Sequence, residues 1–288
     1  MNGIELNDIS KSYKDIQALS HINLHFEENT IYGLLGRNGA GKSTLLNIIN
    51  NRVLADSGTV TLNGQTVTEN SDALCRFFLI NEENYYPEGM KVKDAFKWSR
   101  EFFPSFDRDY AEKLCNLFEL SPKKKIKRLS TGYQTIFKNI VALSVNVPYV
   151  FFDEPVLGLD ACHRDLFYKL LIEKYAENPF TIIISTHLIE EVANIIENVI
   201  IINNGKIIKN ETRDELLKAG YCVSGISSLV DSYITGKQVI GTEILGGLKT
   251  AYILGKPEAE IPDSLSISGM DLQKLFIQLT NTREEYKL

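Results

Sequence analysis

The 288-residue sequence is poor in tryptophan (one), methionine (three) and cysteine (four). It has no apolar run near the roughly 18–20 residues that cross a bilayer as a helix. Its richest apolar stretches, Pro148 to Phe152 and Val199 to Ile202, are strand-sized. The opening residues Met1 to Asp8 carry neither a basic segment nor an apolar one, so no secretory signal is read there. Cys75, Cys115, Cys162 and Cys222 are scattered without a CxxC pair, which argues against a disulfide or zinc framework. They are expected to be reduced, buried thiols of a cytoplasmic protein. Lysine and arginine number 31 against 37 acidic residues, for a formal net charge of -6. A whole-chain nucleic-acid binder advertises the opposite balance, so no nucleic-acid partner is expected. Internal repeats and low-complexity tracts are also lacking.

What remains is a mix of 44% hydrophobic and 24% charged residues, as in a folded globular protein with a sizeable core. The length fits about two domains, or one large domain with an appendage. Strand-like pieces come first, at Ile4 to Leu6 and in the alternation of Ile22, Leu24 and Phe26. The short run Ile31 to Leu35 breaks into a glycine-rich loop, followed by Leu45, Leu46, Ile48 and Ile49 at helical spacing. Ser57 to Val67, with Asn63-Gly64 at its turn, reads as a hairpin. From about Val92 the texture turns helical, with Ala95, Phe96, Trp98, Leu114, Leu117 and Phe118 at mixed spacing. Continuous apolar runs at Thr181 to Ser185 and Val199 to Asn203 look like strands buried on both faces. Beyond Arg213 a short helix, two strands hinged at Gly246-Gly247 and a helix over Asp271 to Leu279 are expected.

Gly36-Arg37-Asn38-Gly39-Ala40-Gly41-Lys42-Ser43 matches the pattern G-x-x-x-x-G-K-[ST]. Its glycines let the backbone curl so that successive N–H groups face inward, and the helix that follows presents its positive end. Asn38, Gly39, Ala40, Gly41, Lys42, Ser43 and Thr44 are therefore read as a nucleotide-phosphate cradle. Lys42 would reach the β- and γ-phosphates, and the Ser43 hydroxyl would ligate Mg²⁺.

A metal-bound phosphate also needs a carboxylate and a group that acts on water. Tyr149-Val150-Phe151-Phe152-Asp153-Glu154 supplies both at the carboxyl end of an apolar strand, where open α/β sheets bind ligands. Asp153 is read as a Mg²⁺ ligand and Glu154 as the group that orients or deprotonates water.

Leu129-Ser130-Thr131-Gly132-Tyr133-Gln134 lies between the loop and the acid pair. In this order the motifs resemble the nucleotide-binding subunits of ABC transporters, exporter-like ones of bacteria above all, over residues 1 to about 215. The resemblance implies a P-loop NTPase of α/β class, with a mixed sheet and an antiparallel β subdomain. It also implies an inserted helical subdomain at about 92–130, and leaves 216–288 as a small α+β appendage. It places Tyr13 on adenine, His187 on the γ-phosphate, and Asp160 of Leu157-Gly158-Leu159-Asp160 in a loop that crosses a dimer interface. Ser130 and Gly132 of one subunit would cover the ATP of the other. The implied activity is ATP hydrolysis that powers transport, export more than import, with ATP and Mg²⁺ as cofactors. Implied partners are a second ATPase subunit, identical or related, and integral membrane subunits on other chains. The site would then sit on the cytoplasmic face of the membrane.

Two departures bear on this. The signature reads Ser-Thr-Gly-Tyr-Gln, keeping Ser130 and Gly132. After the hairpin, Phe78 to Glu83 offers no glutamine where the family has one; Glu82, as a metal ligand, or Asn81 takes that place. The helical insert and the loop Asn81 to Tyr86, with Tyr85 and Tyr86 as aromatic anchors, are the expected docking surface. Lys123, Lys124, Lys125, Lys127 and Arg128 read as a solvated face. Two other readings stay open: a soluble ATPase of this type acting on ribosomes or DNA, and an ATP-binding module with little turnover.

Overall fold

Strand and helix propensities segregate along the chain, and the computed structural model, which describes residues 2–258, 262 and 264–280, follows them. The elements of the first part are β1 (Ile4–Tyr13), β2 (Ile16–Phe26), β3 (Ile31–Leu35), α1 (Lys42–Ile49), β4 (Ser57–Leu62), β5 (Gln65–Thr66), α2 (Ser71–Leu74) and β6 (Phe77–Ile80). There follow α3 (Val92–Phe102), α4 (Arg108–Leu117), a 3-10 turn over Ile126–Arg128, α5 (Thr131–Ser144), β7 (Tyr149–Asp153), α6 (Ala161–Glu177) and β8 (Thr181–Thr186). The chain then makes α7 (Ile189–Val192), β9 (Asn198–Asn203), β10 (Lys206–Thr212), α8 (Arg213–Lys218), β11 (Gly220–Ile226), α9 (Ser227–Tyr233), β12 (Gln238–Leu245), β13 (Leu248–Leu254), β14 (Ser266–Gly269) and α10 (Leu272–Thr280).

Two compact units form, Met1–His187 with Ile202–Ile207, and Leu188–Ile201 with Ile208–Leu288. In the first, β3, β8, β7 and β6 lie side by side and parallel, and the hairpin tip Ile202–Ile207 continues this sheet past β3. Every residue of β3, β7 and β8 is buried, as continuous apolar runs require when both faces are covered. Phe151 and Phe152, both fully buried, point to opposite faces of the pleat and serve the core on each side. Full burial of such a side chain contributes about 1.5–3 kcal/mol. An antiparallel sheet in the order β2-β1-β4-β5 forms the β subdomain, and α3 and α4 make the helical insert.

The second unit carries an antiparallel sheet in the order β12-β13-β11-β14. Its core is Tyr221, Val223, Val230, Ala251, Ile253 and Leu265. The β12–β13 hairpin turns at Gly246-Gly247 as its sequence indicates, whereas β11, α9 and β14 had no clear sequence signal. Residues 259–261, 263 and 281–288 of the expected appendage lie outside the described residues.

One expectation fails. All four cysteines are free, but only Cys115 and Cys222 are buried; Cys75 and Cys162 are exposed. Cys75 ends α2, where its Sγ donates to the Asp72 carbonyl at 3.2 Å, and Cys162 falls in the first turn of α6. Both positions are set by helix ends at the surface rather than by the packing preference of a thiol. Burial pushes the Cys115 thiol up to about 12.

Candidate active site

The glycine-rich loop joins β3 to α1, and Gly41 caps the helix with φ +111°. A Cβ on Gly41 would lie 2.6 Å from the Ala18 carbonyl oxygen, so the position excludes any side chain. No side chain therefore caps the first-turn N–H groups of α1, which suits an anion supplied from outside. Lys42 is 6% exposed, and its Nζ donates to the carbonyls of Gly36 (2.8 Å) and Arg37 (3.4 Å), drawing the loop around it. Burial lowers the Lys42 pKa, and the nearby Glu154 and Asp153 carboxylates oppose that shift.

Because β3, β8 and β7 are parallel neighbours, their carboxyl ends converge on this loop. Asp153 ends β7, 8% exposed, and its Oδ1 accepts a hydrogen bond from Ser185 Oγ at 2.8 Å. Glu154 follows with φ +51°, a conformation uncommon outside glycine, and its N–H donates to the Ser185 carbonyl at 2.9 Å. Its carboxylate receives Thr186 Oγ1 at 3.1 Å on Oε2 and has His187 Nδ1 at 2.9 Å from Oε1. Lys42 Nζ stands 3.8 Å from the same Oε1. Lys42, Asp153, Glu154 and His187, singled out from separate stretches of sequence, thus meet at one sheet edge. Ser185 and Thr186, which orient the two acids, were not singled out, although they adjoin His187 in the sequence.

Ser130, Gly132 and Asp160 form a second cluster. Ser130 caps α5, accepting from Tyr133 N at 3.4 Å. A Cβ on Gly132 would lie 2.5 Å from the Gly158 carbonyl oxygen, and Thr135 Oγ1 donates to the Leu157 carbonyl at 3.0 Å. The loop before α6 is thereby seated on the start of α5. Asp160 caps α6, accepting from His163 N at 2.9 Å, with His163 Nδ1 at 2.8 Å from its other oxygen. These contacts, the backbone bond foremost, hold the Asp160 carboxyl below its usual range. The His163 ring stands 6.1 Å from that of Tyr133, over which Lys124 Nζ lies at 5.6 Å.

Tyr13, 45% exposed at the end of β1, has Lys11 Nζ at 5.6 Å from its ring centroid. In the loop after β6, Glu82 is exposed and lines one cavity with Asp153 and Glu154. Tyr85 is exposed, but Tyr86 packs edge-on against Phe137 at 5.0 Å, and burial pushes its hydroxyl up to about 12. Tyr85 alone of the two is presented as an anchor. Lys123, Lys124, Lys125, Lys127 and Arg128 are all exposed.

Residues 19–157 match the family model described as ABC transporter. The chain is 31% identical over 210 residues to the ABC transporter ATP-binding protein MJ1023 of Methanocaldococcus jannaschii, covering 71% of this chain and 76% of that protein. The chain belongs to the ABC transporter ATP-binding proteins. It is 29% identical over 213 residues to the ATP-binding protein YtrB of Bacillus subtilis, covering 74% of this chain and 73% of YtrB. Relatives named for import match as well. The fold is that of the ATP-binding cassette MJ0796, solved as a dimer bound to ADP and Pi, with a TM-score of 0.65 at 23% identity over 73% of this chain and 98% of that one. As a member of this family the chain is the ATPase subunit of a transporter, and it binds ATP.

The residues present also fit Mg²⁺. Ser43 and Asp153 offer hard oxygen donors, and Mg²⁺ takes one or two carboxylates alongside substrate phosphates and water. The Ser185 hydrogen bond fixes the Asp153 carboxylate in place for that role.

Proposed function

We propose that the chain hydrolyses MgATP between two cassette subunits and powers export through separate membrane-spanning chains. The meeting of Lys42, Asp153, Glu154 and His187 at one sheet edge carries this reading. The backbone from Asn38 to Thr44 would hold the phosphates and Lys42 the β- and γ-oxygens. Ser43 and Asp153 would hold Mg²⁺, with Glu82 beside them; the ion would neutralise charge on the phosphates. Glu154 orients the attacking water and accepts its proton, and His187 holds the Glu154 carboxylate while reaching toward the γ-phosphate. Tyr13 stacks on adenine, and Ser130, Gly132 and Asp160 serve the site of the second subunit. That dependence on a second subunit makes ATP a ligand with differential affinity for the closed dimer, as a switch requires.

We assign the ATPase domain to 1–215 and the appendage to 216–288; relatives align over 71% to 75% of the chain, while the compact units divide at His187 with Ile202–Ile207 returning to the first. Among the described residues no helix is long and apolar enough to cross a membrane. In this reading the chain attaches peripherally to the inner face, with the exposed Tyr85 and the helical insert toward the spanning partner. Outward transport rests on the resemblance of the sequence motifs to bacterial exporter subunits; among named relatives one is for bacitracin transport and others are for import.

Pull-down of the tagged full chain from detergent-solubilised membranes tests the reading. An integral membrane chain is expected to co-purify. Recovery with ribosomes or DNA, and no membrane chain, would overturn it.

A further inference from the structure

The loop after β6 carries an acidic residue, Glu82, into the wall of a cavity of about 150 Å³ that Asp153 and Glu154 also line. Three acidic residues therefore border one cavity, which Glu154 links to the phosphate loop through Lys42, and a triphosphate held by that loop would meet their charge. Lys42 faces Glu154 at 3.8 Å, which leaves the Glu82 side of the cavity to another cation.

Lys138 occupies that side. It sits in the middle of α5, half-buried, and lines the same cavity. Its Nζ donates to the Asn81 and Glu82 carbonyls, each at 2.7 Å. One ammonium thus fastens two consecutive peptide units of an otherwise irregular segment. A second tie comes from Asn84, whose Nδ2 donates to Gln134 Oε1 at 3.1 Å, while Gln134 Nε2 donates to the Leu129 carbonyl at 2.9 Å. The loop is therefore referenced to α5, the helix that Ser130 caps. Burial lowers the Lys138 pKa, and the Glu82 carboxylate acts on it in the opposite direction.

We propose that Lys138 is a positioning residue that fastens the Asn81–Glu83 loop to α5 and offsets the charge of Glu82, so that a third carboxylate can border the ATP site. This rests on the reading of the ATP site given above. Fastening and offset are separable, because replacing Glu82 removes the charge while leaving both carbonyls in place.

Equilibrium binding of ATP to the full chain, with and without Mg²⁺, tests the offset, and amide hydrogen exchange of the loop tests the fastening. Lys138→Met is expected to weaken ATP binding about tenfold, the scale of removing one partly screened unit charge beside the site. Lys138→Met with Glu82→Gln should return to within about threefold of wild type, and Lys138→Arg should stay near it. Equal weakness of Lys138→Met with and without Glu82→Gln would overturn the offset. Exchange at Asn81 to Asn84 should speed up in both methionine variants, and unchanged exchange would overturn the fastening. Should Lys138→Met fail to fold, Glu82→Gln alone decides, read without Mg²⁺ because Glu82 also stands beside the ion's place: tighter ATP binding supports the offset, and unchanged or weaker binding overturns it. Lys42→Ala is the control, since undiminished ATP binding in that variant would refute the ATP site itself and leave the exchange result standing.

Discussion

His187 Nδ1 lies 2.9 Å from Glu154 Oε1, so the ring donates to the carboxylate whenever that acid is ionised. Thr186 occupies the other oxygen at 3.1 Å. Thr186, the last residue of β8, and His187 just after it thereby fix a side chain whose backbone, just past β7, is itself held in a left-handed conformation. A carboxylate fixed this firmly suits general-base work, in which a misplaced group loses most of its effect. Glu154→Gln is expected to lower phosphate release about 10²–10⁴-fold while ATP binding persists and an ATP-bound dimer accumulates. Release measured at the wild-type rate would remove Glu154 from the reaction.

Lys42 contributes a buried ammonium to the phosphate loop, and its carbonyl partners at Gly36 and Arg37 hold it there. Lys42→Ala is expected to weaken ATP binding by about tenfold or more, since a charged hydrogen bond to phosphate is lost. Titration calorimetry reads this directly, and wild-type affinity would refute the phosphate-loop assignment.

Gly132 has no room for a side chain, because a Cβ would meet the Gly158 oxygen at 2.5 Å. In Gly132→Ala the Leu157–Asp160 segment must shift, at a cost of about 1–3 kcal/mol as in other overpacked sites. The expected result is a lower melting temperature and at least about tenfold slower phosphate release, with monomer ATP affinity kept within about twofold. Full activity in this variant would show that the seating of that loop on α5 is unimportant.

Asp160 gives a prediction in pH. Its carboxyl titrates lower in the folded protein than in the unfolded chain, chiefly because it accepts the His163 N–H. A depressed folded value means that the stabilisation is complete above the unfolded pKa of about 3.9 and fades as pH falls through the folded one. Asp160→Asn keeps a capping oxygen but removes the charge. Urea melts should show wild type the more stable at pH 6, with the gap closing as pH falls below about 4. A gap that stays constant across that range would exclude the charge as its source.

Local features of the sequence were the most legible. The run Ile31 to Leu35 followed by glycines and a helical pattern located β3, the loop and α1, because all three signals are contiguous. The apolar runs Tyr149 to Phe152 and Ile182 to Ile184 identified β7 and β8 as buried strands for the same reason. Strand β11, with Gly220 and Gly225 at or near its ends, and the short β14 gave no such pattern; pairing with β13 and with each other decides them. Cys75 and Cys162 were misplaced because a thiol's preference for burial is weaker than the geometry of the helix end that carries it.

The sequence by itself determined the chemistry on offer: a loop that must cradle an anion, an acid pair at a strand end, and a signature between them. Each is written in adjacent residues, where steric and hydrogen-bonding rules act over a few bonds. Only the tertiary structure decided which of them meet. Parallel pairing of β3, β8 and β7 brings Lys42, Glu154 and His187 within hydrogen-bonding or ion-pair distance, and the packing of α5 brings Lys138 to the carbonyls of Asn81 and Glu82. Those contacts join distant stretches of chain, so they depend on the register of strands and the seating of a helix, which no local pattern encodes.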